Sequence, residues 1–161
     1  MVRNIIVSIA DMKMANDPQV NLVTYALGSC LGVALYDPVA KVGGLLHFML
    51  PDSRIDPLKA KKNPWMFADT AIPLFLEEFH KMGGVKERVK IKVAGGSKIL
   101  DDSEFFNIGK KNYMVLRKIL QLHNISLVAE DIGGQGNRTM TLELSSGKVF
   151  VKISGNGVKV L

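Results

Sequence analysis

Cys30 and His47 are the residues of this chain whose types and spacing point to chemistry; Cys30 is the single cysteine and His47 one of three histidines. A thiol attacks an electrophile as its thiolate, so a nucleophilic cysteine needs a base beside it. The imidazole base in turn needs a third group to fix its tautomer. Thr24, a little before the cysteine, offers a hydroxyl for that role. Cys30, His47 and Thr24 are therefore the candidate catalytic residues, for nucleophilic catalysis through sulfur.

Positioning them falls to a hairpin. Leu31 to Tyr36 and Gly43 to Leu50 read as strands, joined by a turn built on Asp37-Pro38. Paired residue numbers in an antiparallel hairpin keep a constant sum, so pairing Tyr36 with Lys41 sets Cys30 opposite His47 on one face. A one-residue slip would send them to opposite faces. A lone cysteine in an apolar strand is ordinarily core packing. The Gly28-Ser29 pair just before it is unusual for a plain core strand; it predicts a bulge or a close backbone approach, with Gly28 and Ser29 leaving amides near the sulfur for a ligand.

Around this unit, Asn4 to Ile9 and Val20 to Tyr25 read as strands, separated by a polar connection through Asn16-Asp17-Pro18. Asp52 to Lys62 reads as a surface loop. Asn63 as cap and Pro64 at the first position start a helix with an apolar stripe (Phe67, Ala68, Ala71, Phe75, Leu76, Phe79), kinked or divided at Pro73 and ended by Gly83-Gly84. Val89 to Ala94 alternates as a half-buried strand with Lys90 and Lys92 facing water. An irregular stretch follows Gly95-Gly96. Asn107 then caps a second helix whose inner stripe is Tyr113, Leu116, Ile119, Leu120 and His123, stopped at Asn124. Ser126 to Ile132, Thr139 to Leu144 and Val149 to Ile153 read as an antiparallel meander. The order predicts an α+β layered sandwich, mostly antiparallel sheet with two main helices, in a single domain over residues 1–161.

The chain has 161 residues, 47% hydrophobic and 22% charged, with net charge +6. It holds no run near the roughly 20 apolar residues needed to span a bilayer. The apolar start is too short for a signal-peptide core, so a cytosolic protein is expected. The basic charge is scattered along the chain and aromatics are 7% of residues, most in hydrophobic runs, which argues against a nucleic-acid groove. A single cysteine and histidines without ligand spacing argue against zinc. His80 and His123 fall at helix ends. The Gly133-Gly134-Gln135-Gly136 run lies between strands, not between a strand and a helix, so it is a turn and not a phosphate loop. Glu77-Glu78, Asp101-Asp102 and Glu130-Asp131 read as solvated pairs, and Asp131 and Arg138 as an ion pair across the glycine turn.

Three segments carry a resemblance: T-x-x-L-G-S-C at Thr24 to Cys30, L-Y-D-P at Leu35 to Pro38, and G-G-L-L-H-F-M-L-P at Gly43 to Pro51. Weaker agreement follows in G-G-S at Gly95 to Ser97, N-I-G-K-K-N at Asn107 to Asn112 and D-I-G-G-x-G-x-R at Asp131 to Arg138. The chain resembles the chemoreceptor glutamine deamidases, the CheD family, over nearly its whole length. Ala94 departs from the family, which often has an aromatic there. The resemblance implies hydrolysis of glutamine side-chain amides on methyl-accepting chemotaxis receptors, with Cys30, His47 and Thr24 catalytic and Gly28 and Ser29 supporting the oxyanion. It also implies a fold related to the cytotoxic necrotizing factor catalytic domain, no cofactor or metal, a cytoplasmic place at receptor arrays, and a CheC-type phosphatase as partner. A non-catalytic adaptor that docks receptor or phosphatase is the alternative.

Overall fold

The computed structural model describes residues 1–98 and 107–161; the Asp101-Asp102 pair and most of the stretch after Gly96 lie outside them. Ten strands form two five-stranded sheets. The first runs β1 (Arg3–Ile6), β3 (Val20–Leu27), β8 (Arg138–Glu143), β9 (Val149–Ile153) and β10 (Val158–Val160). The second runs β2 (Asp11–Ala15), β5 (Val42–Phe48), β4 (Leu31–Asp37), β6 (Lys90–Gly95) and β7 (Leu127–Ile132). Three helices are α1 (Pro57–Lys62), α2 (Ala68–Lys81) and α3 (Ile108–Leu122).

Hydrophobic patterning explains the layering. Every residue of β4 and β5 is buried, because one face of this hairpin meets the first sheet and the other meets helices. Leu22, Met140, Leu142 and Val151 of the first sheet pack between the sheets against Ala34 and Leu45. On the far side, Val33, Leu35, Leu46 and Phe48 pack against Ile72, Phe75 and Phe79 of α2 and Leu116 and Leu120 of α3. Side chains of this kind each contribute roughly 1.5–3 kcal/mol on burial. The expected α+β layered sandwich with two main helices is found, its layers being sheet, sheet and helices.

Several expectations are corrected. The 4–9 strand ends at Ile6, and the connection after it contains β2, whose half-buried Met12 and Met14 sit in a strand paired with β5. The loop after Pro51 contains α1, capped by Asp56, whose side chain accepts from the Lys59 amide. Asn63 caps a single 3-10 turn, Pro64–Met66, and α2 starts afterwards. Helix α2 continues through Pro73, which lies on its exposed side, where water can solvate the carbonyl that loses its partner. Lys92 is half-buried and its Nζ donates to the Leu161 carbonyl at 2.8 Å, so it does not face water. His123 is exposed and leaves the inner stripe of α3. The meander is β8, β9 and β10; β7 pairs in parallel with β6 in the other sheet, so the Gly133–Asn137 turn crosses between sheets.

Candidate active site

The hairpin register differs from the expected one by two residues. Tyr36 pairs with Gly43 and Gly32 with His47. The turn is longer because Asp37 organises it: its carboxylate accepts from the amides of Val39 (2.8 Å) and Ala40 (3.1 Å), and its carbonyl from Lys41 (2.8 Å). Lys41 takes a left-handed φ of 58°. Asp37 is fully buried and paired with Arg88 at 2.8 Å. The Arg88 guanidinium holds its carboxyl below the usual carboxylate range, with further help from the amide bonds. A two-residue shift preserves the face. Cys30 therefore lies one residue ahead of β4, packed against the inter-sheet core, diagonal to His47 rather than opposite it.

The position facing His47 is Gly32. A Cβ there would lie 2.7 Å from Met140 Sδ and 3.0 Å from Leu27 Cδ1. Its absence lets the first sheet close over the site.

Thr24 comes from that first sheet. Its Oγ1 lies 2.7 Å from His47 Nδ1 and donates to the Val7 carbonyl, also at 2.7 Å. A hydroxyl has one proton, and a carbonyl can only accept. Thr24 Oγ1 must then accept from His47 Nδ1–H, which leaves the lone pair on Nε2. That Nε2 is buried with no hydrogen-bond partner among the described residues, a condition that costs roughly 1–3 kcal/mol. The arrangement is a neutral imidazole oriented as a base. Val7 is itself held beside the strand by its amide bond to the Val23 carbonyl at 2.8 Å.

The bulge expected at Gly28-Ser29 occurs slightly earlier. Pairing of β3 with β8 shifts between Thr24 and Leu27, and Ala26 takes a left-handed φ of 58°. Such backbone strain gathers at functional sites. Beyond it, three successive carbonyls are held. Gly28 accepts from Ser97 N (2.8 Å), Ser29 from Asn112 Nδ2 (3.0 Å), and Cys30 from Gly96 N (2.9 Å). Gly28 N is engaged by the Ala26 carbonyl at 3.0 Å, so it is not a free donor. Gly95 must be glycine: its φ is 119°, and a Cβ would collide with the Cys30 carbonyl oxygen.

Burial pushes the Cys30 thiol up to about 11, offset in part by its own amide. Burial pushes His47 down to about 4. Thiol and imidazole are both neutral at pH 7, and no hydrogen bond joins them among the described residues.

Behind the loop, buried Arg138 donates to Asp131 (2.9 Å), Gly133 O (2.7 Å), Ser97 Oγ (2.8 Å) and Gly95 O (3.3 Å). The expected Asp131–Arg138 pair exists, and through Ser97 it supports the Gly28 carbonyl. Val7, Ser97 and Asn112 are site residues that sequence reasoning missed. Ser97 and Asn112 belong to motifs already noticed; Val7 acts through its main chain and leaves no residue-type signal.

The family model described as CheD chemotactic sensory transduction matches residues 49–153. A protein of Syntrophus aciditrophicus (strain SB) named "Probable chemoreceptor glutamine deamidase CheD 1" is 52% identical over 158 residues, covering 98% of this chain and 99% of that one. A "Probable chemoreceptor glutamine deamidase CheD" of Solibacter usitatus (strain Ellin6076) is 46% identical, covering 94% and 89%. The crystal structure of the Bacillus licheniformis hypothetical protein YfiH superposes with a TM-score of 0.49 at 13% identity, over 75% of this chain and 49% of that one. The family-model segment begins just after His47, whereas the alignment with the Syntrophus protein reaches across Thr24, Cys30 and His47. With near full-length relatives at this identity, the chain belongs to the CheD family.

Proposed function

We propose that this chain, as one domain over residues 1–161, hydrolyses the side-chain amides of selected glutamines on methyl-accepting chemotaxis receptors, giving glutamate and ammonia. The observation that carries the reading is the direction of the Thr24–His47 bond, which leaves an unprotonated Nε2 in the layer where Cys30 packs. The names of the relatives, chemoreceptor glutamine deamidases, supply the substrate class.

The steps balance as follows. Cys30 Sγ bonds to the carboxamide carbon while its proton passes to His47 Nε2, and the carbonyl π pair moves to oxygen. The amides of Ser29 and Cys30 are the donors for that oxyanion; losing one such donor costs roughly 10²-fold or more in rate. The oxyanion collapses, the C–N bond breaks, and Nε2–H protonates the departing nitrogen as ammonia, leaving a thioester. Water then gives a proton to Nε2 as its oxygen adds to the thioester carbon. Collapse expels sulfur, which takes the proton back. Thr24 holds the ring throughout, and no cofactor or metal enters these steps.

The reading carries a cytoplasmic location at receptor arrays, and a CheC-type phosphatase as a further partner where one is present. It involves neither nucleic acid nor membrane insertion. Among the described residues no helix is long and apolar enough to cross a membrane.

The neutral resting pair favours one other reading, a non-catalytic adaptor that docks receptor or phosphatase. Wild type and Cys30→Ala, each mixed with a receptor cytoplasmic fragment, separate the two. The deamidase reading expects equal binding and glutamine conversion by wild type alone. Equal binding with no conversion by either makes the chain an adaptor.

A further inference from the structure

We infer that Asn112 is a positioning residue that sets the spacing between Cys30 and His47, an inference that rests on the deamidase reading above. Asn112 lies in the first half of α3 and is fully buried. Its Nδ2 donates to two carbonyls far apart in sequence: Ser29, immediately before the nucleophile, at 3.0 Å, and Met49, two residues after the base, at 2.9 Å. Both partners are acceptors only, so the amide orientation is dictated by the network. One planar NH2 fork thereby bridges the end of the strand that carries His47 and the loop that carries Cys30.

The other end of the same side chain is anomalous. Asn112 Oδ1 is buried with no hydrogen-bond partner among the described residues. A buried orphan acceptor is disfavoured and calls for an explanation. Two converging carbonyls supply one: they demand two donors from a single neutral group, and a carboxamide offers them at the cost of an unused oxygen. A leucine of similar volume would pack there without the orphan but would leave Ser29 and Met49 unbridged.

Helix α3 is brought close enough by Gly109. A Cβ on Gly109 would lie 2.5 Å from the Gly96 carbonyl oxygen and 2.7 Å from that of Ser97. These are backbone atoms and cannot swing aside. Gly96 and Ser97 donate their amides to Cys30 and Gly28, so α3 bears on the nucleophile loop by two routes. Asn107 starts the helix, its side chain accepting from Lys110 N at 3.1 Å. The N-I-G-K-K-N run thus works as cap, close approach and fork.

The test uses the full chain and a receptor cytoplasmic fragment, with turnover read as glutamine conversion and folding read by thermal melting. Asn112→Leu is expected to melt cooperatively, keep KM within about twofold and lose roughly 10²-fold in kcat, the loss typical of a reacting pair misplaced by about 1 Å. Gly109→Ala improves intrinsic helix propensity and leaves Asn112 in place, and it decides the matter if Asn112→Leu does not fold. It is expected to lower kcat at unchanged KM by pushing α3 off the Gly96-Ser97 backbone. Wild-type kcat in the folded Asn112→Leu protein, or in Gly109→Ala when only that variant folds, overturns the inference, as does a loss confined to KM. Cys30→Ala runs alongside: if it retains activity the deamidase mechanism itself fails, whereas an inactive Cys30→Ala with a fully active Asn112→Leu removes only the role of Asn112.

Discussion

Thr24 and His47 belong to different sheets, and their side chains meet at 2.7 Å across the interior between them. Because Thr24 gives its proton to Val7, this contact assigns the histidine tautomer and directs its lone pair away from the threonine. Catalytic competence therefore depends on how two sheets pack, as well as on the hairpin that carries Cys30 and His47.

Replacing that hydroxyl tests the assignment. Thr24→Val keeps volume but strands the Nδ1 proton and frees the tautomer. We expect kcat to fall roughly 10²-fold, a good part of what general-base catalysis supplies, with KM little changed. Thr24→Ser retains the acceptor and is expected to recover most of the rate. A valine variant with wild-type kcat would contradict the role.

Stability should depend on pH through His47. Its folded pKa is about 4 against 6.5 for the ordinary value, so between those pH values the unfolded chain binds a proton that the folded chain does not. Stability is complete above about pH 6.5 and is lost as pH falls toward 4, by about 3 kcal/mol in all. Urea melts at pH 7 and pH 4.5 should show the loss in wild type and a smaller one in His47→Gln. Equal losses in both would place the effect elsewhere.

Cys30 should be a slow thiol in the resting protein. An isolated pair of this kind suggests an activated sulfur, but burial raises the thiol to about 11 and the imidazole is too weak a base at rest to hold its proton. Iodoacetamide at pH 7.5 is expected to modify Cys30 more slowly than free cysteine, with the rate climbing above pH 9. Fast modification at neutral pH would show a preformed ion pair.

Arg138 supports the loop from behind. It is 4% exposed, and removing it leaves the Gly95 and Gly133 carbonyls and one side of Asp131 without a partner. Arg138→Leu is expected to lose roughly 3–5 kcal/mol in a urea melt, as for breaking a buried pair. A loss under about 1 kcal/mol, the level of an exposed ion pair, would contradict this account.

What could be read from the sequence follows the range of the interactions. Cys30, His47 and the hairpin between them are local, and the strand pattern was enough to place them on one face. The register was not legible, because Asp37 folds two more residues into the turn than an Asp-Pro step suggests. Asn112 and Thr24 touch the hairpin from elements distant in sequence. Thr24 was recognised by its chemistry, though it reaches His47 from another sheet. Asn112 lies on a helix face that its apolar stripe explains without it. The Gly133–Asn137 turn looked like a hairpin because a crossover between sheets uses the same glycines. Strands β2 and β10 are short, with half-buried or exposed residues, and carry little periodic signal.

The most direct measurement follows the substrate oxygen. A receptor cytoplasmic fragment is incubated with wild type, Cys30→Ala or His47→Ala in water enriched in heavy oxygen, and each glutamine is read by mass spectrometry. The account predicts that wild type converts selected glutamines to glutamates carrying solvent oxygen, with release of ammonia, and that both variants leave them as amides. Conversion by Cys30→Ala at the wild-type rate, or none by folded wild type bound to the fragment, would contradict it.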